Sequence, residues 1–266
     1  MTSTRPLESG WLCDTPVDDS ILRRFLFNQA DVNDTIAEAI AGRVDRTPAV
    51  ALSDSGLPVP YLNQATLFRP LTGDDDEVLD EVAAFYGTGS PGLLLSAWPT
   101  PDLSRRGWML VGHPMFVVRG PAPASSYDEL PKPGVSVRLA RSAQDLSLME
   151  KLLVDGYPIP EFAGLPRNRA LGAALIGGPM AHRVGYLAGA PVATGASLVA
   201  HGVVNLCLAS TLPEARRRGV WQAMVNARCA DAPNLPAVAF TSDDSRPGFV
   251  RMGFLPVQRF TLWVVT

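Results

Sequence analysis

An α/β fold, with a mixed and mostly antiparallel sheet flanked by helices, is what the sequence predicts on three observations. Apolar residues alternate between period-two and helical spacing along the chain. Three strand-like runs, His182 to Leu187, Val192 to Val199 and Val203 to Leu208, are separated by Ala188-Gly189-Ala190-Pro191 and Ala200-His201-Gly202, loops short enough for antiparallel hairpins. Over the second half the elements run β-α-α-β-β-β-α-β-α-β.

From the N-terminus, Asp19 to Val44 carries helical periodicity, and Ala49 to Leu52 and Tyr61 to Phe68 read as strands. Asp74-Asp75-Asp76-Glu77 opens a helix running to about Tyr86. Acidic side chains in a first turn favour the helix dipole, so this run is a helix start rather than a set of metal ligands. Gly92 to Trp98 and Met115 to Arg119 add two strands. Residues 121–134, rich in Pro, Gly, Ser and Ala without an apolar period, read as a linker between residues 1–120 and 135–266. Beyond it, Val135 to Ala140 is strand-like, and Ala143 to Val154 is a helix with Leu146, Met149, Leu152 and Leu153 on one side. Arg169 to Ile176 is helical. The three hairpin strands follow, then a helix carrying Trp221, Met224, Val225 and Cys229, a strand at Ala237 to Thr241, a short helix at Arg246 to Met252 and a last strand from Pro256 to Val265.

Composition bounds the function. With 47% hydrophobic and 18% charged residues the chain is globular, and no run approaches the ~20 apolar residues of a membrane span. The opening residues lack the plan of a secretory signal, which gives the cytoplasm as the expected compartment. Cys13, Cys207 and Cys229 are odd in number and far apart, so reduced thiols are expected, with no metal site. The net charge of −3 hides an asymmetry: residues 1–130 carry 9 Arg against 18 acids, and residues 131–266 carry 14 Lys plus Arg against 8. The basic half suits a small anionic ligand. The acidic half and the lack of interleaved aromatics disfavour nucleic acid.

One segment reads either as a place for that anion or as an ordinary basic surface at a helix start. Ser210-Thr211-Leu212-Pro213-Glu214-Ala215-Arg216-Arg217-Arg218-Gly219-Val220-Trp221 sets three guanidinium groups and a glycine between a strand and a helix. Amides from Arg217 to Trp221 at a helix start donate to phosphate oxygens, and Gly219 keeps that backbone approachable. Trp221 stands four residues before Val225, which directs its ring to the core.

This element order and these residues resemble the GNAT superfamily of acetyl-CoA-dependent N-acetyltransferases. Arg216, Gly219 and Trp221 fall on the three defined positions of its Gln/Arg-x-x-Gly-x-Gly/Ala signature, the last a departure. Phe249-Val250-Arg251-Met252-Gly253-Phe254 resembles its Tyr-x-x-Leu-Gly-Phe element. The resemblance implies a GNAT fold over residues 135–266, a degenerate GNAT-like half before it, acetyl-CoA as co-substrate, and direct transfer to an amine of a small molecule or peptide. It also implies pantetheine pairing along Ala209, Ser210 and Thr211, and cofactor contacts from Arg216, Arg217, Arg218, Gly219, Val220, Trp221 and Ser242. Nucleic acid and membrane are not implied as partners; an oligomer is open. The family's tyrosine acid aligns with Phe249, and its frequent strand carboxylate with Asn205; neither moves a proton. Glu161 is therefore the first choice for base and Tyr157 a candidate acid, with water-assisted release or lost catalysis as the alternatives. His201 reads as a turn residue and His113 as structural. Asp243 and Asp244 read as a helix entry or as acids facing a substrate ammonium. The acidic first half would wall the acceptor pocket and attract a cationic amine through Asp74 to Glu77.

Overall fold

A computed structural model describes residues 20–87, 89–127, 131–157, 165 and 168–265. Helix α1 (Ile21–Ala39) starts on the Ser20 hydroxyl, which accepts from the Arg23 amide. It ends where Ala41 turns left-handed (φ 60) and the Gly42 amide reaches back to the Ala37 carbonyl. The helix is thus shorter than its periodicity suggests, and β1 (Arg43–Arg46) follows it as an exposed edge strand without an apolar pattern. Strand β2 (Val50–Asp54) pairs with β1 and with β3 (Gln64–Leu67). The expected strand from Tyr61 starts late because Pro60–Leu62 forms a 3-10 turn. The Asn63 side chain fixes that turn, accepting from Ser55 and donating to the Leu57 and Pro91 carbonyls. Then come α2 (Glu77–Tyr86), β4 (Gly92–Ser96), β5 (Met109–Gly112) and β6 (Met115–Arg119).

The second half contributes β7 (Val135–Leu139), α3 (Ala143–Gly156), β8 (Met180–Leu187), β9 (Ala190–Ala200), β10 (Val203–Thr211), α4 (Val220–Cys229), β11 (Ala237–Thr241), α5 (Arg246–Arg251), β12 (Leu255–Arg259) and β13 (Thr261–Val265). The helix expected over Arg169 to Ile176 is only a 3-10 turn at Ala173–Leu175 in its described part. The single strand expected from Pro256 is two strands.

The halves repeat one plan. In each, a strand, a helix and a second strand form a parallel pair, β3 with β4 and β10 with β11. A helical turn follows, closed by a left-handed glycine before an aromatic: Gly107-Trp108 and Gly253-Phe254, both glycines at φ 82. Gly107 stands eight residues before β6, and Gly253 eight before β13.

The closing strands are exchanged. One sheet runs β1-β2-β3-β4-β13-β5 and the other β12-β6-β11-β10-β9-β8-β7. Strand β13 lies between two strands of the first half, and β6 between two of the second. The division between sheets therefore does not follow the proline-rich stretch at residues 121–134. The crossing segments touch: the Phe260 amide donates to the Pro114 carbonyl at 2.9 Å, and the His113 ring meets the Phe260 carbonyl at 3.2 Å. Phe25 of α1, Phe116 and Phe260 close on one another there, with centroids 4.9 to 5.5 Å apart. Helix α1 packs against β2 and β3 on one side and β9 and β10 on the other. Its buried Gln29 accepts from Asn205 at 3.0 Å.

Candidate functional site

Strand β10 pairs with β11 at Val204 and Asn205 and then leaves it. Beyond that wedge its register with β9 slips between Cys207 and Ser210, so that Leu208 and Ala209 oppose Gly195 alone. This is a β-bulge, and Leu208 takes a left-handed φ of 48°. Cys207 to Ala209 are partly exposed in a strand otherwise buried, because the splay opens there. No residue type marks the bulge in advance, since Leu208 is neither glycine nor asparagine.

Past the splay, the Pro213–Ala215 turn leads to α4, whose N-cap is Gly219 at φ 92 with no side-chain cap and no acid in the first turn. Helices α1, α2 and α3 are each capped by a side chain, from Ser20, Asp76 and Ser142. An uncapped first turn leaves its amides to an external acceptor. Arg217 and Arg218 are exposed beside it. Arg216 is committed elsewhere: its Nε donates to the Thr211 carbonyl and its Nη2 to the Gly156 carbonyl, both at 3.1 Å. It ties the cradle loop to the end of α3. Sequence reasoning missed Lys132. Its stem lies across Gly219, where an added Cβ would meet Lys132 Cδ at 2.9 Å. Being one of only two lysines, between Pro131 and Pro133, was the signal available.

The strand end is held from α3. The Ser210 hydroxyl donates to the Leu152 carbonyl at 2.7 Å, and Gly156 admits the strand, since a Cβ there would meet Ser210 Oγ at 2.8 Å. Tyr157 follows directly, 39% exposed, and desolvation where its ring packs raises its pKa. Glu161 lies outside the described residues. Trp221 packs inward, edge to face on Phe249 with centroids 5.0 Å apart, and Phe249 meets Phe254 in the same way. Phe249 is buried and Asn205 turns to α1 on the opposite face, so neither supplies a proton group to the splay. Ser242 closes β11, its hydroxyl 3.1 Å from that of Ser245. Asp243 pairs with Arg259 at 2.7 Å, Asp244 is exposed, and His201 occupies the β9–β10 turn against Asp31.

The matching junction in the first half is already filled. Asp76, 4% exposed, accepts from both terminal nitrogens of Arg69, from the Thr72 amide and hydroxyl, and from the Val78 amide. The Arg69 guanidinium holds its carboxyl well below the usual range. Helix α2 packs on β2 and β13. The acidic run is therefore a cap with its own cation.

No family model matches the chain, and no curated protein matches it. Solved structures do. A GCN5-related N-acetyltransferase from Kribbella flavida superposes with a TM-score of 0.57 at 18% identity over 89% of this chain and 95% of its own. A tandem GNAT protein from the clavulanic acid biosynthesis pathway gives 0.51 at 12% over 90% and 94%. A conserved protein of unknown function from Staphylococcus epidermidis gives 0.60 at 12% over 85% and 94%. With its two parallel pairs, its bulged and splayed strand and its exchanged closing strands, the chain has the fold of the GCN5-related N-acetyltransferases, built twice.

Proposed function

We propose that the chain is an N-acetyltransferase that moves an acetyl group from acetyl-CoA directly to an amine of a small molecule or peptide. The observation that carries this reading is the β10–α4 junction, where a strand splayed from its parallel neighbour leads into an uncapped helix start ringed by Arg217, Arg218 and Lys132. The first-turn amides and these cations suit a pyrophosphate, and the main chain of Ala209 to Thr211 suits the amides of pantetheine. Cys207 supports direct transfer, since its thiol, desolvated although the residue is partly exposed, is pushed up to about 12 and disfavoured as a thiolate at neutral pH.

Leu57, Val59 and Leu62 of the first half are buried in one cluster with Leu153 and Leu165, and Leu208 of the bulge packs against them, so the two halves meet beside the splay. Acetyl transfer needs the ammonium proton removed and the departing thiolate protonated. Tyr157, protonated and one residue beyond the Gly156–Ser210 contact, is the acid of this reading, and Glu161 the base.

Phe249 and Asn205 favour a second reading, an acyl-CoA-binding relative without turnover. Two measurements in sequence test and separate them. Acetyl-CoA at 100 times its dissociation constant should stabilise the fold by about 2.7 kcal/mol in a thermal melt. No shift sinks both readings. Thiol release across a panel of small-molecule and peptide amines then distinguishes enzyme from binder. In the enzyme, Tyr157→Phe and Glu161→Gln should each lower turnover by roughly 100-fold at unchanged acetyl-CoA affinity.

A further inference from the structure

Arg228 sits on the core face of α4 with none of its surface exposed. It breaks an otherwise apolar stripe of Met224, Val225 and Cys229. Burial lowers its pKa to about 10, which leaves it charged at neutral pH. A charge so enclosed is expected to have an acid beside it. Among the described residues Arg228 bonds to main chain alone: Nε to the Met224 carbonyl at 3.1 Å, and Nη1 to the Ala196 and Cys207 carbonyls at 3.4 and 3.3 Å, with no partner there for Nη2. Asp231, the acid in its surroundings, is held by Arg183 and Ser197.

The acceptors locate its task. Ala196 and Cys207 face each other across β9 and β10 as the last matched pair before the register slips. Gly195, the residue opposite the bulge, makes the space: an added Cβ would meet Arg228 Cζ and Nε at 3.2 Å each. A glycine on one strand and a buried guanidinium beneath it thus converge on the rung where the ladder breaks.

We propose that Arg228 is a positioning residue for the cofactor strand. By holding both strands at that rung it fixes where β10 bulges, and so where Leu208 to Thr211 present their main chain in the splay. A single terminal nitrogen, Nη1, reaches the carbonyls of both strands, and Nε in the same rigid plane is anchored on the Met224 carbonyl of α4, an orientation that a lysine ammonium lacks. The cost of burying the charge is borne for conformation rather than stability. The proposal rests on reading the splay as an acyl-CoA site.

Replacing a buried charge by an apolar side chain of similar volume often leaves stability equal or higher, so stability and positioning separate in one variant. The full chain and its Arg228→Met form are compared by thermal melting, by amide hydrogen exchange without ligand and by acetyl-CoA titration. The expected result is a melting temperature at or above the parent's, exchange at Leu208 to Thr211 raised at least ~10-fold while β8 and α3 keep their protection, and acetyl-CoA affinity lowered at least ~10-fold. Unchanged exchange at Leu208 to Thr211 overturns the proposal. So does a rise spread over the whole sheet with a lower melting temperature, which marks a merely structural residue. Should the methionine form not fold, Arg228→Lys carries the same readouts with the same two overturning results. A parent that binds no acetyl-CoA refutes the cofactor reading alone, and the exchange measurement still decides Arg228.

Discussion

Arg216, a cofactor contact by resemblance, and Lys132, part of the linker in the sequence reading, both stand at the β10–α4 junction. Arg216, on the signature position, spends its donors on the Thr211 and Gly156 carbonyls, whereas Lys132 comes from the linker to cross Gly219. The prolines on either side limit the backbone freedom of Lys132, so in the proposed acetyl-CoA site less entropy would be lost on ordering its ammonium against a phosphate. Lys132→Ala should weaken acetyl-CoA binding by roughly 10-fold and flatten its salt dependence in calorimetric titrations at two ionic strengths. An unchanged affinity removes the lysine from the site. Arg216→Ala should act differently, loosening the cradle loop rather than deleting a phosphate contact.

Among the elements, α2 and α4 begin in opposite ways. Asp76 brings a carboxylate to the start of α2, where Arg69 and two amides receive it, while α4 begins on a bare glycine. The start of α2 is accordingly closed to a phosphate, and we expect one acetyl-CoA per chain. Asp76→Ala should cost about 2–4 kcal/mol, since it removes a helix cap and a charge-assisted pair. Its folded pKa is depressed, so the stability it contributes is complete above the ordinary aspartate value near ~4 and is lost as pH falls through the lower folded value. Urea melts should therefore show a shallower acid dependence for Asp76→Ala than for the parent below about pH 4. The start of this helix was legible in its acidic run, as were the three hairpin strands and the β10–α4 junction. Strand β1 was not, because all four residues are exposed and carry no alternation. The site was legible where main chain and charge make it, at Ser210 to Trp221. It was hidden where tertiary packing decides, at the Leu208 bulge, at Lys132 and at Arg228.

For the whole molecule, the exchange of β6 and β13 makes each sheet depend on both halves. Residues 121–266 alone would lack β6 and leave β11 and β12 without the strand that joins them. Such a fragment should be insoluble or unfolded by circular dichroism, and co-expression with residues 1–120 should recover part of the fold. An autonomous, cooperatively melting C-terminal fragment would contradict this. At the crossing itself, Phe260→Ala should destabilise the chain by about 3–5 kcal/mol, since it opens the aromatic contact shared by α1 and both crossing strands.

The exchanged strands also set a timetable. On the ribosome, β1 to β5 emerge early, yet the gap between β4 and β5 is filled only by Thr261 to Val265. At ordinary elongation rates that edge waits on the order of ten seconds. Through that interval two unpaired strand edges stand open, including the apolar Leu93, Leu94 and Leu95 of β4. Nascent chains of this protein should lean on chaperones, and slower elongation of the second half should lower soluble yield without altering the stability of the finished molecule.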